Sequence, residues 1–223
     1  MTLRVVRPLF AVFVLAGFAS AADSQLMNLM MPNAKVVAGV NVEQAKNSPF
    51  GQFMLSRFKN ASPDWTAATG FDPRRDISEV LMGTAGQPGQ QGLVLVRGNF
   101  NTDQIIAAAK AAGHSAQVYN GVTILTGQDD TLTHGLAFLN NSIAIAGDMD
   151  NVKAAIDRKS SNGSQLDPAL AAAIQQLSGA QDAWTISTVP FSALAGGKLP
   201  DARLNGMLNT DVLKELSSRP AAG

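Results

Sequence analysis

The chain has 223 residues, 46% of them hydrophobic and only 15% charged, with 17 basic residues balancing 17 acidic ones. That composition excludes a largely disordered chain, and the absence of any basic cluster argues against a nucleic-acid partner. Cysteine is absent, which excludes disulfides, thiol catalysis and thiolate metal sites, so stability has to come from an apolar core.

The first residues, MTLRVVRP, carry Arg4 and Arg7 and no acid before Asp23. The apolar run Leu9 to Phe18 follows, then Ala19-Ser20-Ala21. A positive start, a short greasy core and a small-x-small site form a secretory signal cut after Ala21. The run is about half the roughly 20 apolar residues that a spanning helix needs. Cleavage leaves 202 residues with 15 basic against 17 acidic groups. No later stretch is apolar for long enough to span a bilayer, so the expected location is the periplasm or the extracellular space, with no stable transmembrane segment after processing.

Residues 22–33 read as a lead-in from the processing site, punctuated by Pro32-Asn33. Lys35 to Val42 is β-prone and is taken as the first strand. Ser48-Pro49 opens a helix in which Phe50, Phe53, Met54 and Phe58 form one apolar stripe. Asn60 to Asp76 has a loop-like composition. Within it, the Arg74-Arg75 pair is flanked by Asp72 and Asp76 and reads as a solvated turn. Ile77 to Gly83 and Leu93 to Arg97 are strands joined through a Gly-rich turn, 86–92, into a hairpin. That turn lacks the Lys-Ser/Thr ending of a P-loop and leads into a strand, so it is no phosphate cradle.

Thr102 to Ala112 is a helix capped by Asn101 or Thr102 and stopped by Gly113. Asn120-Gly121 joins Gln117–Tyr119 to Val122–Leu125 as a hairpin, and Asn140-Asn141 joins Gly135–Leu139 to Ser142–Ile145. Asp148 caps a helix to about Lys159, SSNGS (160–164) is a link, and Pro168 starts a helix to Leu177. Ala183 to Val189 is the last strand; residues 196–223 form a polar, partly helical tail.

The order over 35–119 is β-α-β-β-α-β, the ferredoxin-like order, in an α+β domain at 34–195 with an antiparallel sheet and helices on one face. Gly98-Asn-Phe-Asn101 before IIAAA is echoed by Gly147-Asp-Met-Asp150 before VKAAI. The echo admits a second, similar half as readily as shared capping chemistry. The sheet is thus either continuous or split into two small subdomains near 120–130.

Groups for catalysis are sparse. His114 and His134 are the two histidines, too few for a zinc site and without the H-E-x-x-H spacing. His114, just past a helix C-terminus, suits the dipole there; His134 suits a turn. Gly113-His-Ser-Ala-Gln117 lacks the second glycine of a nucleophile elbow and runs from helix to strand. Asp129-Asp130 fits a turn, and Asp148 and Asp150 fit a helix start. Asp148-Met-Asp150-Asn151 fails the calcium-loop template at Val152 and Lys153. No catalytic residue, metal site or cofactor is assigned.

At residues 34–53 (AKVVAGVNVEQAKNSPFGQF), 70–81 (GFDPRRDISEVL), 92–100 (GLVLVRGNF) and 182–194 (DAWTISTVPFSAL) the chain resembles a family of exported bacterial hypothetical proteins of unassigned function. It is similar to the N-terminal portion of longer members, in which a further segment follows the last strand. The resemblance implies export and an α+β fold and brings no catalytic residues. Three functions remain open: a non-enzymatic exported protein binding a protein, a peptide or an apolar ligand; a carboxylate-based hydrolase of the cell envelope; and a shortened module of a longer protein.

Overall fold

The computed structural model describes residues 22–49, 52, 63–86, 92–128, 133–160 and 165–189. In chain order the described elements are α1 (Ser24–Leu29), β1 (Val36–Asn41), α2 (Val42–Ala45), α3 (Pro63–Thr69), α4 (Pro73–Asp76), β2 (Ile77–Thr84) and β3 (Leu93–Gly98). There follow α5 (Thr102–Ala111), β4 (Ser115–Tyr119), β5 (Val122–Gln128), β6 (Thr133–Asn140), β7 (Ile143–Asp148), α6 (Met149–Arg158), α7 (Pro168–Ser178) and β8 (Ala183–Ser187).

All eight strands join one antiparallel sheet in the order β4-β5-β6-β7-β3-β2-β1-β8. The α+β antiparallel expectation is met, and the strands on either side of 120–130 belong to one sheet. The element order β-α-β-β-α-β over 36–119 is present, but the spatial order is not that of a ferredoxin-like sheet. A split βαβ unit would place β3 between β1 and β2. Here β1 and β2 are direct antiparallel neighbours, with Asn41 opposite Glu79, because the chain re-enters the sheet at the end from which it left. The order is symmetric about the β3–β7 pair, and the echoed segments leave these two central strands. They do so on opposite faces, so the helices are not confined to one side.

Strand periodicity decides which side chains enter the main core. Val37, Leu81, Leu93, Leu95, Ile143, Ile145, Ala137 and Ile124 point to a first face, where they pack against α1, α6 and α7. From those helices come Leu26, Met30, Val152, Ala155, Ile156, Leu170 and Ile174. Asp167 caps α7 through the amides of Ala169 and Leu170, with Pro168 at the first helical position.

Residues 22–33, expected as a lead-in, contain a core element. Asp23 accepts from the amides of Gln25 (2.7 Å) and Leu26 (3.3 Å), starting α1. Leu26, Met27, Leu29 and Met30 are all buried. The Arg158 guanidinium of α6 donates from two nitrogens to the Leu29 carbonyl, 3.2 and 2.9 Å, closing the helix end. Burial lowers the pKa of this arginine, against the smaller opposing pull of Asp157.

The stretch 60–76 also differs from a plain loop. Pro63 and Pro73 each occupy a first helical turn, where a missing N–H costs nothing, and Asp72 caps α4. At the second hairpin the turn lies one residue later than expected: Asn140 ends β6, and its side chain accepts from the amides of Ser142 (2.8 Å) and Ile143 (3.0 Å). Pro49 and Gln52 are helical, as expected. The stripe Phe50, Phe53, Met54 and Phe58, the cleavage site at Ala21 and the tail 196–223 lie outside the described residues.

Candidate functional site

Helix α5 lies on the second face of the sheet. Asn101 caps it by accepting from the Gln104 amide, and Ile105 and Ala109, one turn apart, are its buried residues. Ile105 packs with Phe100 and Ala144 over Val96, Leu136 and Phe138. Phe100 stands between two other rings, 5.7 Å from Phe71 and 5.4 Å from Phe138 between centroids. The helix stops at Ala111, and Gly113, at φ +89°, turns the chain away towards β4.

Just past that end the second face opens into a recess of about 400 Å³. Its walls are Val94, Leu125, Leu136 and Ala146, with Ala109 from the helix. The four strand residues form one register row, Leu125–Leu136–Ala146–Val94, which continues through Met82 and Ala38. Met82 is 41% exposed. Gly127 also lines the recess, and no atom lies within 4 Å of where a Cβ on it would stand.

His114 and His134 both line this recess, although the sequence places them in separate elements with separate local roles. His134 is the register partner of Gly127 on one side and Asp148 on the other. Asp148 occupies the N-cap position of α6 but makes no side-chain bond to the helix amides, which corrects the expected capping role. Its Oδ2 accepts from Asn151 Nδ2 at 3.0 Å, and its Oδ1 is buried without a hydrogen-bond partner. Asp150 is exposed, and Ser115 of the Gly-His-Ser string is exposed on the β4 edge. Asp129-Asp130 lies outside the described residues. Among the described residues no three His, Asp or Glu side chains gather to hold a metal ion.

A second recess, about 380 Å³, opens at the other end of α5 between Gly70, Arg75, Asp76, Asn101 and Asn141. Its polar groups are bonded to one another. Arg75 donates to Asp76 (2.7 Å from both Nε and a terminal nitrogen) and to the Gly70 carbonyl at 2.6 Å. The Asp76 carboxylate also accepts from the Asp72 amide, 2.8 Å. The Arg75 hydrogen bond holds the Asp76 carboxyl below its usual range, against a smaller opposing effect of burial. Thr102 donates to Asn141 at 2.9 Å, and Gln104 to the Ala68 carbonyl at 3.0 Å. This is a joint between α3, α4, α5 and the β6–β7 turn; Arg74 and Arg75 are solvated as expected, with the Arg75 side chain 66% exposed, but they lie in the short helix α4 rather than in a turn.

A third constellation went unassigned from sequence. Glu79 and Arg97 sit on strand positions that share parity with Leu81 and Leu95, and so point to the core face. Arg97 pairs with Asp23 and donates to Gln25 at 2.9 Å. Glu79 accepts from the Asp23 amide, 3.2 Å to Oε1 and 3.4 Å to Oε2. Burial pushes the Glu79 carboxyl above its usual range, and the Asp23 charge adds to this. A charge breaking the inward apolar alternation in ISEVL and LVLVR was the available signal.

No protein-family profile and no curated protein sequence matches the chain. Among solved structures, crystal form III of TP0453 is similar with a TM-score of 0.53 at 9% identity, covering 79% of this chain and 67% of that one. Crystal form I of the same protein aligns at 0.45 and 10% identity (66% and 54% covered), and form IV at 0.39 and 9% (67% and 56%). This chain therefore spans between 54% and 67% of the length of those chains. At such identities the form III likeness shows a shared α+β fold. Among the described residues no helix is long and apolar enough to cross a membrane.

Proposed function

We propose that the chain is a non-enzymatic binding protein, exported on a signal that ends at Ala21, which holds an apolar ligand in the recess beyond α5. The observation that carries this reading is the lining: aliphatic walls from Leu125, Leu136, Ala146 and Val94, space left open at Gly127, and two imidazoles. Binding sites for small molecules are typically concave and mostly apolar, with a few polar groups that fix orientation. The volume matches a compact aliphatic or aromatic molecule or the end of a longer chain. The periplasm or the cell surface is the proposed location, because Arg4, Arg7, the short apolar run 9–18 and Ala19-Ser20-Ala21 form an export signal.

Native mass spectrometry of the protein purified from its own periplasm tests the reading directly. An apolar molecule should co-purify, and Gly127→Leu, whose Cβ enters open space and whose side chain takes up room in the recess, should abolish its retention. A bare polypeptide that also fails to bind an apolar fluorescent probe would overturn the proposal.

One observation favours a second reading, a carboxylate-based hydrolase of the cell envelope. His134 lines the same recess and is the register partner of Asp148, whose buried Oδ1 lacks a hydrogen-bond partner. Turnover of an apolar ester that is lost in Asp148→Asn, while probe binding persists, would favour this alternative.

A further inference from the structure

The Asp23, Glu79 and Arg97 cluster holds two carboxylates against one guanidinium, which leaves it one positive charge short. Next to it, the Ala22 backbone nitrogen lies 2.7 Å from Ser178 Oγ, at the end of α7. Ser178 is 5% exposed, one of two buried polar residues among those described, and it donates its own proton to the Gln175 carbonyl at 3.3 Å. Its oxygen is thus left to accept from Ala22. One residue along, the Asp23 amide rests on the Glu79 carboxylate.

In an uncut chain the Ala22 nitrogen is a neutral amide with a single proton. Hydrolysis of the Ala21–Ala22 bond by a leader-cleaving protease adds water: the carboxylate leaves with Ala21, and the new amine takes a proton to become an ammonium with three donors. We propose that this ammonium is a structural cation, which Ser178 and Glu79 are positioned to receive, so that removal of the leader stabilises the fold it leaves behind. The inference rests on the cleavage reading above. Charges around the site come from each element packed there: Asp23 at the N-cap of α1, Glu79 on β2 and Arg97 on β3, with Asp182 between α7 and β8; the Asp182 carbonyl accepts from Asn41, the register partner of Glu79. The raised Glu79 carboxyl fits a site that awaits a cation.

The test compares the chain beginning at Ala22 with a free amine against the same chain acetylated there. The free form should unfold at a midpoint roughly 2–4 °C higher at neutral pH. That advantage should be complete at neutral pH, below the ordinary titration of an α-amine at about pH 8, disappear as the amine deprotonates above it, and shrink again in acid as the Glu79 carboxylate takes up its proton. Glu79→Gln should shrink the difference, and Ser178→Ala provides the same check if Glu79→Gln fails to fold. Equal midpoints for free and acetylated chains, or a difference unchanged in these variants, would overturn the inference. Mass measurement of the native periplasmic protein keeps the two claims apart. A start other than Ala22 sinks the cleavage reading, whereas a start at Ala22 with equal midpoints sinks only the structural cation.

Discussion

The indole of Trp184 on β8 lies over the Cα of Gly39, its register partner on β1, with no room left for a Cβ between them. An aromatic ring covering a cross-strand glycine replaces the packing that the glycine lacks. Trp184 is 9% exposed and belongs to the main core. This contact joins the last described strand to the first.

Gly39→Ala should therefore cost about 1–3 kcal/mol, because the new methyl meets rigid ring atoms rather than a flexible tip. A urea titration reads the loss. In a Trp65→Phe background, which leaves Trp184 as the sole indole, its emission should shift to the red as the ring is displaced. An unchanged midpoint and spectrum would refute the packing argument.

Met30→Ala should destabilise by about 2–5 kcal/mol, the range for removing a fully buried methionine. Met30 is 0% exposed, and its sulfur covers Gly83 on β2. If residues 22–33 merely led into the domain, the denaturation midpoint would not move.

The Asp76 carboxyl sits below its usual range, chiefly through the Arg75 hydrogen bond. Its folded form therefore binds its proton less readily than the unfolded chain does. The associated stability is complete above the unfolded value, near pH 4, and is lost as pH falls through the lower folded value. Asp76→Asn should remove this part of the acid dependence and lower stability at neutral pH. Thermal melts at neutral pH and in acid check both signs.

Tyr119 is the single tyrosine of the chain, so its phenol can be titrated without interference. Its hydroxyl donates to Asp157 at 2.9 Å, and that hydrogen bond raises its pKa, with burial and the Asp157 charge adding to the effect. Near-ultraviolet absorbance should show phenolate forming above the usual pH, and Asp157→Asn should bring the transition back down. An identical titration in both proteins would rule the contact out in solution.

Local elements were legible because their signals are local. Asn120 and Gly121, at φ +46° and +77°, form the two-residue turn that Asn-Gly favours, and Asn101 and Asp167 cap the helices they precede. The pairing of β3 with β7 and of β1 with β8 was not legible, since periodicity identifies a strand's buried face and not its neighbour. The recess was hidden for the same reason. Leu125, Leu136, Ala146 and Val94 come from four strands, and only the register aligns them. Helix α1 escaped notice because six residues are too few for a periodic pattern, although Asp23 ahead of an apolar run is an N-cap signal.

The β1–β8 junction has a kinetic consequence. β1 precedes every other strand of the described chain, and it stays unpaired along one side until β8, the last of them, is in place. Closing so distant a pair carries the loop-closure penalty that slows β-rich topologies. Until β8 docks, the chain therefore carries an open strand edge along β1, and completion of the sheet is a late event in folding.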